Sequence, residues 1–318
     1  MISPKSDYIE GEIGEARMYQ GFPVSLTDLI RCQEDLEALS IEENEGGSDF
    51  IQRGSLKCSK CGTIYNIDKG ILELLPCQEP LQSVVQHEVE TRDIQAKDYD
   101  KLRYTGEDEV EISSTLKHLG AFTGKNLIEF GCGIGRYTTI IASKCRQVIA
   151  LDFSRESLLI LAGKLKDADN TGLVWADATK MRVAPDYFDL ALSAQVVEHI
   201  PSVEARSLFF QRIFESLSPE GMLLCTAYHQ DVMRRIRELK HEGYHPSGIF
   251  YHYFSKEEMK NEVSKHFATV IIYLIQPHIP YARRFHIISP ILFKTFQALP
   301  ILNKLGRLIL VKAYKREK

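Results

Sequence analysis

The residues best suited to chemistry lie in Leu127-Ile128-Glu129-Phe130-Gly131-Cys132-Gly133-Ile134-Gly135-Arg136-Tyr137. An apolar run ends at Phe130, three alternating glycines follow, and a helical stretch begins near Tyr137. Glycine lets the backbone take positive φ and approach a ligand closely, and a helix start offers free N–H groups to a carboxylate or phosphate. A dinucleotide loop would read G-x-G-x-x-G. Here the spacing is G-x-G-x-G, and Arg136 stands where the last glycine of that pattern belongs. The next apolar run, Val148–Leu151, ends in Asp152, a carboxylate placed to accept both hydroxyls of a ribose. A third run, Val174–Ala176, ends in Asp177, suited to an adenine amino group. Helix-capping or turn roles for Asp152 and Asp177 stay open beside these.

Two further groups could do chemistry. Cys58-Ser59-Lys60-Cys61, followed by Gly62, is a C-x-x-C knuckle, and Cys32-Gln33-Glu34-Asp35 repeats its spacing with an acid in last place. Zinc accepts carboxylate oxygen, so Cys32, Asp35, Cys58 and Cys61 could close a four-ligand structural site. Downstream, residues 228–254 are dense in His and Tyr. His229, His245 and His252, with His199 behind them, are the candidates for a general base, the packing of these aromatics on a core being the plainer alternative.

These residues need elements to position them. Apolar strand-like runs occur at Asn126–Phe130, Gln147–Leu151, Leu173–Ala176, Phe188–Ser193, Met222–Ala227, Ala268–Ile275 and Arg307–Ala313, with helical stretches between most of them. Such alternation predicts an α/β fold with a mostly parallel, seven-stranded sheet covered on both faces. Upstream, short strands around the Cys61-Gly62 turn predict a small N-terminal β-rich, ribbon-like domain. The chain divides into an arm (1–25), the cysteine module (26–80) and the α/β domain (81–318), with lid insertions at about 229–253 and 277–305. Ligands of open α/β sheets sit beyond the carboxyl ends of the strands, which puts the first insertion on the ligand-bearing edge.

From about Asp93 to Lys315 the sequence resembles the class I S-adenosylmethionine-dependent methyltransferases, especially those acting on small molecules and lipids. The motifs are E-F-G-C-G-I-G, the L-D-F-S strand end, the A-D-A turn and V-V-E-H-I (Val196–Ile200). The resemblance implies a Rossmann-like methyltransferase fold and S-adenosylmethionine as cofactor. It makes Glu129, Gly131, Gly133 and Gly135 the cofactor loop, with Asp152 and Phe153 at the ribose, Asp177 and Ala178 at the adenine, Gln195 beside the methionine part, and Tyr99 on a lidding helix. The cysteine module resembles the small zinc-ribbon activator proteins that partner methyltransferases, departing from them at Asp35.

Composition bounds the partners. Lys and Arg number 39 against 43 Asp and Glu, a net charge of -4 that gives no global pull toward nucleic acid. Residues 1–50 hold 12 acids against 3 bases, and residues 283–318 hold 9 bases against Glu317 alone. The apolar, basic, proline-broken stretch 281–304 suits a peripheral membrane contact, a cap on the site or a homodimer face. Seven cysteines without a leader-like segment at Met1–Ile30 argue for a reducing cytoplasm. The expected function is methyl transfer to an O or N atom of a small or lipid-linked metabolite. An RNA-modifying methyltransferase and a non-catalytic cofactor-binding adaptor are the alternatives.

Overall fold

A computed structural model describes residues 18–75, 90–96, 106–166, 168–277 and 306–316. The apolar runs form the sheet that their pattern predicts. Its strands are β7 (Asn126–Phe130), β8 (Gln147–Asp152), β9 (Thr171–Trp175), β10 (Phe188–Ala194), β11 (Leu217–Tyr228), β14 (Thr269–Pro277) and β15 (Gly306–Tyr314). Spatially they run β9-β8-β7-β10-β11-β15-β14. The first five are parallel, and β15 is antiparallel to both of its neighbours. Every residue of β7 is buried, as a central strand between two helical layers requires. Its alternation sends Leu127 to one core and Ile128 to the other.

Helices cover both faces. α2 (Gly106–Leu119), α3 (Thr138–Ile141) and α4 (Arg155–Lys164) lie on one side, and α5 (Val203–Ser216) and α7 (Lys256–Val263) on the other. The caps are those that sequence chemistry favours. Ser154, Ser202 and Ser255 each accept a backbone N–H at the start of α4, α5 and α7, and Ser255 with Glu258 completes a capping box.

The cysteine module is fused to this sheet. Its strands are β2 (Leu39–Asn44), β4 (Arg53–Cys58), β5 (Ile64–Asp68) and β6 (Ile71–Glu73). β6 pairs in parallel with β9, Ile71 opposite Leu173, and the sheet continues through β5, β4 and β2 to eleven strands. Ile71 and Leu72 are fully buried, so the join is an apolar one and hides an edge that β9 would otherwise expose. Arg155 at the start of α4 reinforces it, reaching Asp68 at 2.6 Å and Glu73 at 3.1 Å. The end of the arm is packed too. Phe22 in β1 (Phe22–Pro23, paired with β3, Phe50–Ile51) is fully buried, and its ring fills the space beside Gly172, where a Cβ would meet it at 2.8 Å.

Residues 90–96 form helix α1. After β11 come α6 (Val232–Ile236) and the hairpin β12 (Glu242–Tyr244) and β13 (Phe250–His252). Tyr99, residues 1–17 of the arm and most of the 277–305 insertion lie outside the described residues. Among the described residues no helix is long and apolar enough to cross a membrane.

Candidate active site

The carboxyl ends of β7, β8, β9 and β10 lie side by side, and the glycine loop turns back onto them. The N–H groups of Gly131 and Cys132 donate to the Leu151 carbonyl at 2.8 and 3.0 Å. Asp152 then fastens the loop, Oδ2 accepting from the Gly133 N–H at 2.7 Å and Oδ1 from the Ser154 N–H at 2.8 Å. Each carboxylate oxygen keeps a further lone pair, so Asp152 can hold the loop and still receive hydroxyls. Burial raises its pKa, and the two N–H donors work against that.

The glycines serve different ends. A Cβ on Gly131 would strike Val196 at 2.2 Å, and one on Gly135 would strike Leu161 of α4 at 2.3 Å. Gly135 thus makes room for the neighbouring helix α4, a contact different from the helix-on-strand packing that the last glycine of the dinucleotide pattern permits. Gly133, at φ +53°, faces open space. The cradle there is what an approaching ligand needs.

That space is a cleft of about 330 Å³, lined by Gly131, Gly133, Asp152, Phe153, Asp177, Gln195 and His199, with Arg92, Gln95 and Ala96 of α1 across it. Asp177 also holds its own turn, Oδ1 accepting from the N–H and hydroxyl of Thr179 at 2.8 and 2.7 Å. Three sequence candidates stand behind the lining. Gly135 packs on α4, Ala178 packs on the core, and Glu129 is buried with its carboxylate accepting from the Thr138 hydroxyl at 2.7 Å. Burial pushes the Glu129 pKa up to about 8, with Asp152 adding repulsion.

Sequence reasoning missed two supports. Glu111 on α2 is fully buried, and its Oε2 accepts from Gln195 Nε2 at 2.6 Å and from Arg136 at 2.9 Å. Gln195 sits at φ +57°, uncommon for a residue with a side chain, and this network holds it facing the cleft. An acid on an amphipathic helix gives no sequence signal of such a role. The second support is Asp93 on α1, which accepts from the Ser154 hydroxyl at 2.5 Å and from the Glu156 N–H at 3.3 Å, seating the helix over the Asp152 strand end.

The four histidines part company. His199 lines the cleft. Its Nδ1 faces the Phe250 carbonyl at 2.7 Å; a carbonyl only accepts, so Nδ1 carries the proton and Nε2 is the basic nitrogen. His245 stands 6.5 Å from it, ring to ring, and packs on Tyr251 at 4.7 Å with the rings tilted by 46°. Burial, and then Arg92, lower the His245 pKa. The tip of the hairpin meets α1, the Thr91 hydroxyl lying 3.4 Å from the Ser247 carbonyl. Tyr228 and Tyr253 stack beside His199 at 5.1 Å. His229 is buried with Nδ1 at 2.6 Å from the Gly306 carbonyl, and His252 is buried between Glu242 and Glu258. Of the four candidates His199 lines the cleft, and His229, His245 and His252 do not.

In the module, Cys32, Asp35, Cys58 and Cys61 converge, their ligand atoms all within 4.8 Å of one another. Cys32 Sγ lies 3.5 Å from Cys61 Sγ, and Cys58 Sγ lies 3.4 Å from either Asp35 oxygen. A tetrahedral zinc with bonds of about 2.3 Å to sulfur and 2.0–2.2 Å to oxygen needs donors roughly 3.5–3.8 Å apart, so the residues fit that ion. The thiols are unequal. Burial pushes Cys32 up to about 11, whereas the Thr63 hydroxyl holds Cys61 below its ordinary value.

Residues 128–225 match the family model of the methyltransferase domain. The chain is 29% identical over 128 residues to phosphoethanolamine N-methyltransferase 1 of Zea mays, covering 39% of this chain but only a quarter of that relative's length. Among solved structures it is similar to phosphoethanolamine N-methyltransferase 2 of Haemonchus contortus, bound to phosphomonomethylethanolamine and S-adenosylhomocysteine (TM-score 0.54, 18% identity, 80% of this chain and 63% of that one). It is also similar to the N-methyltransferase NodS of Bradyrhizobium japonicum, bound to S-adenosylhomocysteine (TM-score 0.54, 14% identity, 73% and 100%). At these identities the structures show the fold alone. That fold is the Rossmann-like α/β one of S-adenosylmethionine-dependent methyltransferases.

Proposed function

We propose that the chain transfers a methyl group from S-adenosylmethionine to an O or N atom of a small or lipid-linked metabolite. The observation that carries this is the single cleft in which the open cradle at Gly133, the carboxylates of Asp152 and Asp177, and Gln195 all meet. The fit to the cofactor follows the polarity of the lining: Asp152 for the ribose diol, Asp177 for the adenine amino group, and Gln195, held by Glu111, for the methionine end. S-adenosylmethionine supplies an electrophilic methyl on its sulfonium, and the transfer is an in-line displacement in which alignment does much of the work. The protein's task is to hold the acceptor opposite that methyl, exclude water and receive any proton the acceptor must lose. Nε2 of His199 is the basic nitrogen at the cleft wall, and the Tyr228 and His245 rings pack beside it, backed by Tyr253 and Tyr251. The phosphoethanolamine N-methyltransferase relatives speak for a small acceptor, and a ribosomal RNA small subunit methyltransferase A of Streptococcus pneumoniae, 34% identical over 79 residues, speaks for the RNA alternative.

The experiment is to incubate the protein with methyl-labelled cofactor and small amines, hydroxyl compounds, their lipid-linked forms, or RNA, and to follow labelled product. Label in a small or lipid-linked acceptor is expected. His199→Ala should then lower turnover by about a hundredfold, as loss of a general base does, with cofactor affinity unchanged. Label in RNA would favour the alternative reading, and cofactor binding without any transfer would favour an adaptor. We further propose zinc in the four-ligand cluster, where it would fix the turns that carry Cys32 and Cys58 at the end of the sheet.

A further inference from the structure

We propose that His241, Glu242 and His252 form a second metal site, for a divalent cation of the zinc kind, at the open end of the β12–β13 hairpin. Their ligand atoms lie within 4.8 Å of one another. Glu242 and His252 face each other across the two strands, His241 precedes Glu242, and the rings of His241 and His252 stand at 90° with centroids 5.5 Å apart.

The hydrogen-bond inventory points to a cation. His252 is 4% exposed, and its Nε2 lies 2.8 Å from Glu258 Oε1. A carboxylate accepts, so Nε2 is the protonated nitrogen, and the lone pair of a neutral ring sits on Nδ1. Nδ1 in turn faces Glu242 Oε2 at 3.1 Å. Two acceptors at that distance repel unless a proton or a cation lies between them. His241 brings a third donor atom to the same point, which a proton shared by two groups does not need and a metal does. Tetrahedral bonds of about 2.0–2.2 Å from nitrogen and oxygen set ligand atoms roughly 3.3–3.5 Å apart, so Nδ1 and Oε2 at 3.1 Å need move only about 0.2–0.4 Å to take the ion.

The surroundings are those of a metal-binding histidine. Such a ring gives its other N–H to a carboxylate that fixes its orientation. Glu258 does this, and it is itself fixed as the capping-box residue of α7. Two imidazoles with one carboxylate suit zinc or a neighbouring transition metal rather than calcium or magnesium. Three protein ligands leave one position for water or an anion. His241 and Glu242 are exposed, so the ion has a way in.

The site would tie both strands of the hairpin to the start of α7. The tip of the same hairpin carries His245 and touches α1. A bound ion therefore stiffens the element whose Phe250 carbonyl holds His199 at the cleft wall, without entering the methyl-transfer centre. The inference stands apart from the identity of the acceptor and from the cysteine cluster.

The test is zinc content. Full-length protein equilibrated with excess zinc, desalted and analysed for metal should carry one zinc per chain more than His241→Ala. Added zinc should raise the thermal midpoint of the wild-type protein, and His241→Ala and Glu242→Gln, both at exposed positions, should lose that rise. Equal zinc content in wild type and His241→Ala, or an unchanged rise in both variants, would overturn the site. So would zinc content that does not change while Glu242→Gln alters only the pH dependence of the midpoint, because His252 would then be a buried imidazolium held by two carboxylates.

Discussion

At the scale of single residues, the three glycines make separable predictions. Gly133→Ala adds a methyl to open space at a left-handed position that costs a side chain about 1–2 kcal/mol. It should fold and lose cofactor affinity, because its Cβ enters the cleft. Gly135→Ala drives a Cβ against Leu161 and should lower the thermal midpoint markedly. Melting curves with calorimetry on both variants check this, and equal behaviour would contradict it. Glu129 gives a pH signature. Its folded pKa, raised to about 8, lies above the ordinary value of 4.5, so the folded state binds the proton more tightly. Its contribution is complete below about pH 4.5 and is lost as pH rises through about 8. The slope between those values reaches about 1.4 kcal/mol per pH unit. Glu129→Gln should flatten that part of the stability profile measured without cofactor.

At the scale of elements, the central sheet was legible because buried parallel strands are written as short apolar runs, and the strand-end acids Asp152 and Asp177 mark where they stop. The attachment of the cysteine module was not. The run Ile71–Leu75 reads as a strand, but nothing in its periodicity says that Ile71 pairs with Leu173, a hundred residues away. Gln195, named from the resemblance, lines the cleft, whereas its anchor Glu111 was not named, since a contact between α2 and the end of β10 leaves no local pattern. Tyr99 was named for the lid; the described part of that region is α1, where Arg92, Gln95 and Ala96 face the cleft. The fused sheet has a consequence. Cys58→Ser should release zinc and lower the midpoint by on the order of 5 °C or more. Unfolding should remain one transition, because β4 and β9 belong to the same sheet. Two separate transitions in a calorimetric scan would mean that the module unfolds alone.

At the scale of the whole molecule, the elements converge on one edge. The glycine loop and two acids come from the strand ends, α1 is seated by Asp93, and the histidine hairpin packs behind His199. The overall arrangement was accessible from the alternation of strands and helices. The division of labour among the histidines was not, because it depends on which carbonyl or carboxylate each ring meets. The central claim is that this edge binds S-adenosylmethionine with Asp152 on its ribose, and it can be tested before any acceptor is known. Titration of S-adenosylhomocysteine into the purified protein should show binding to one site per chain. Asp152→Asn should weaken that binding about ten- to a hundredfold, the cost of a lost charge-assisted hydrogen bond, with the fold intact by circular dichroism. Equal affinity in the variant, or preferential binding of a nicotinamide dinucleotide, would contradict the account.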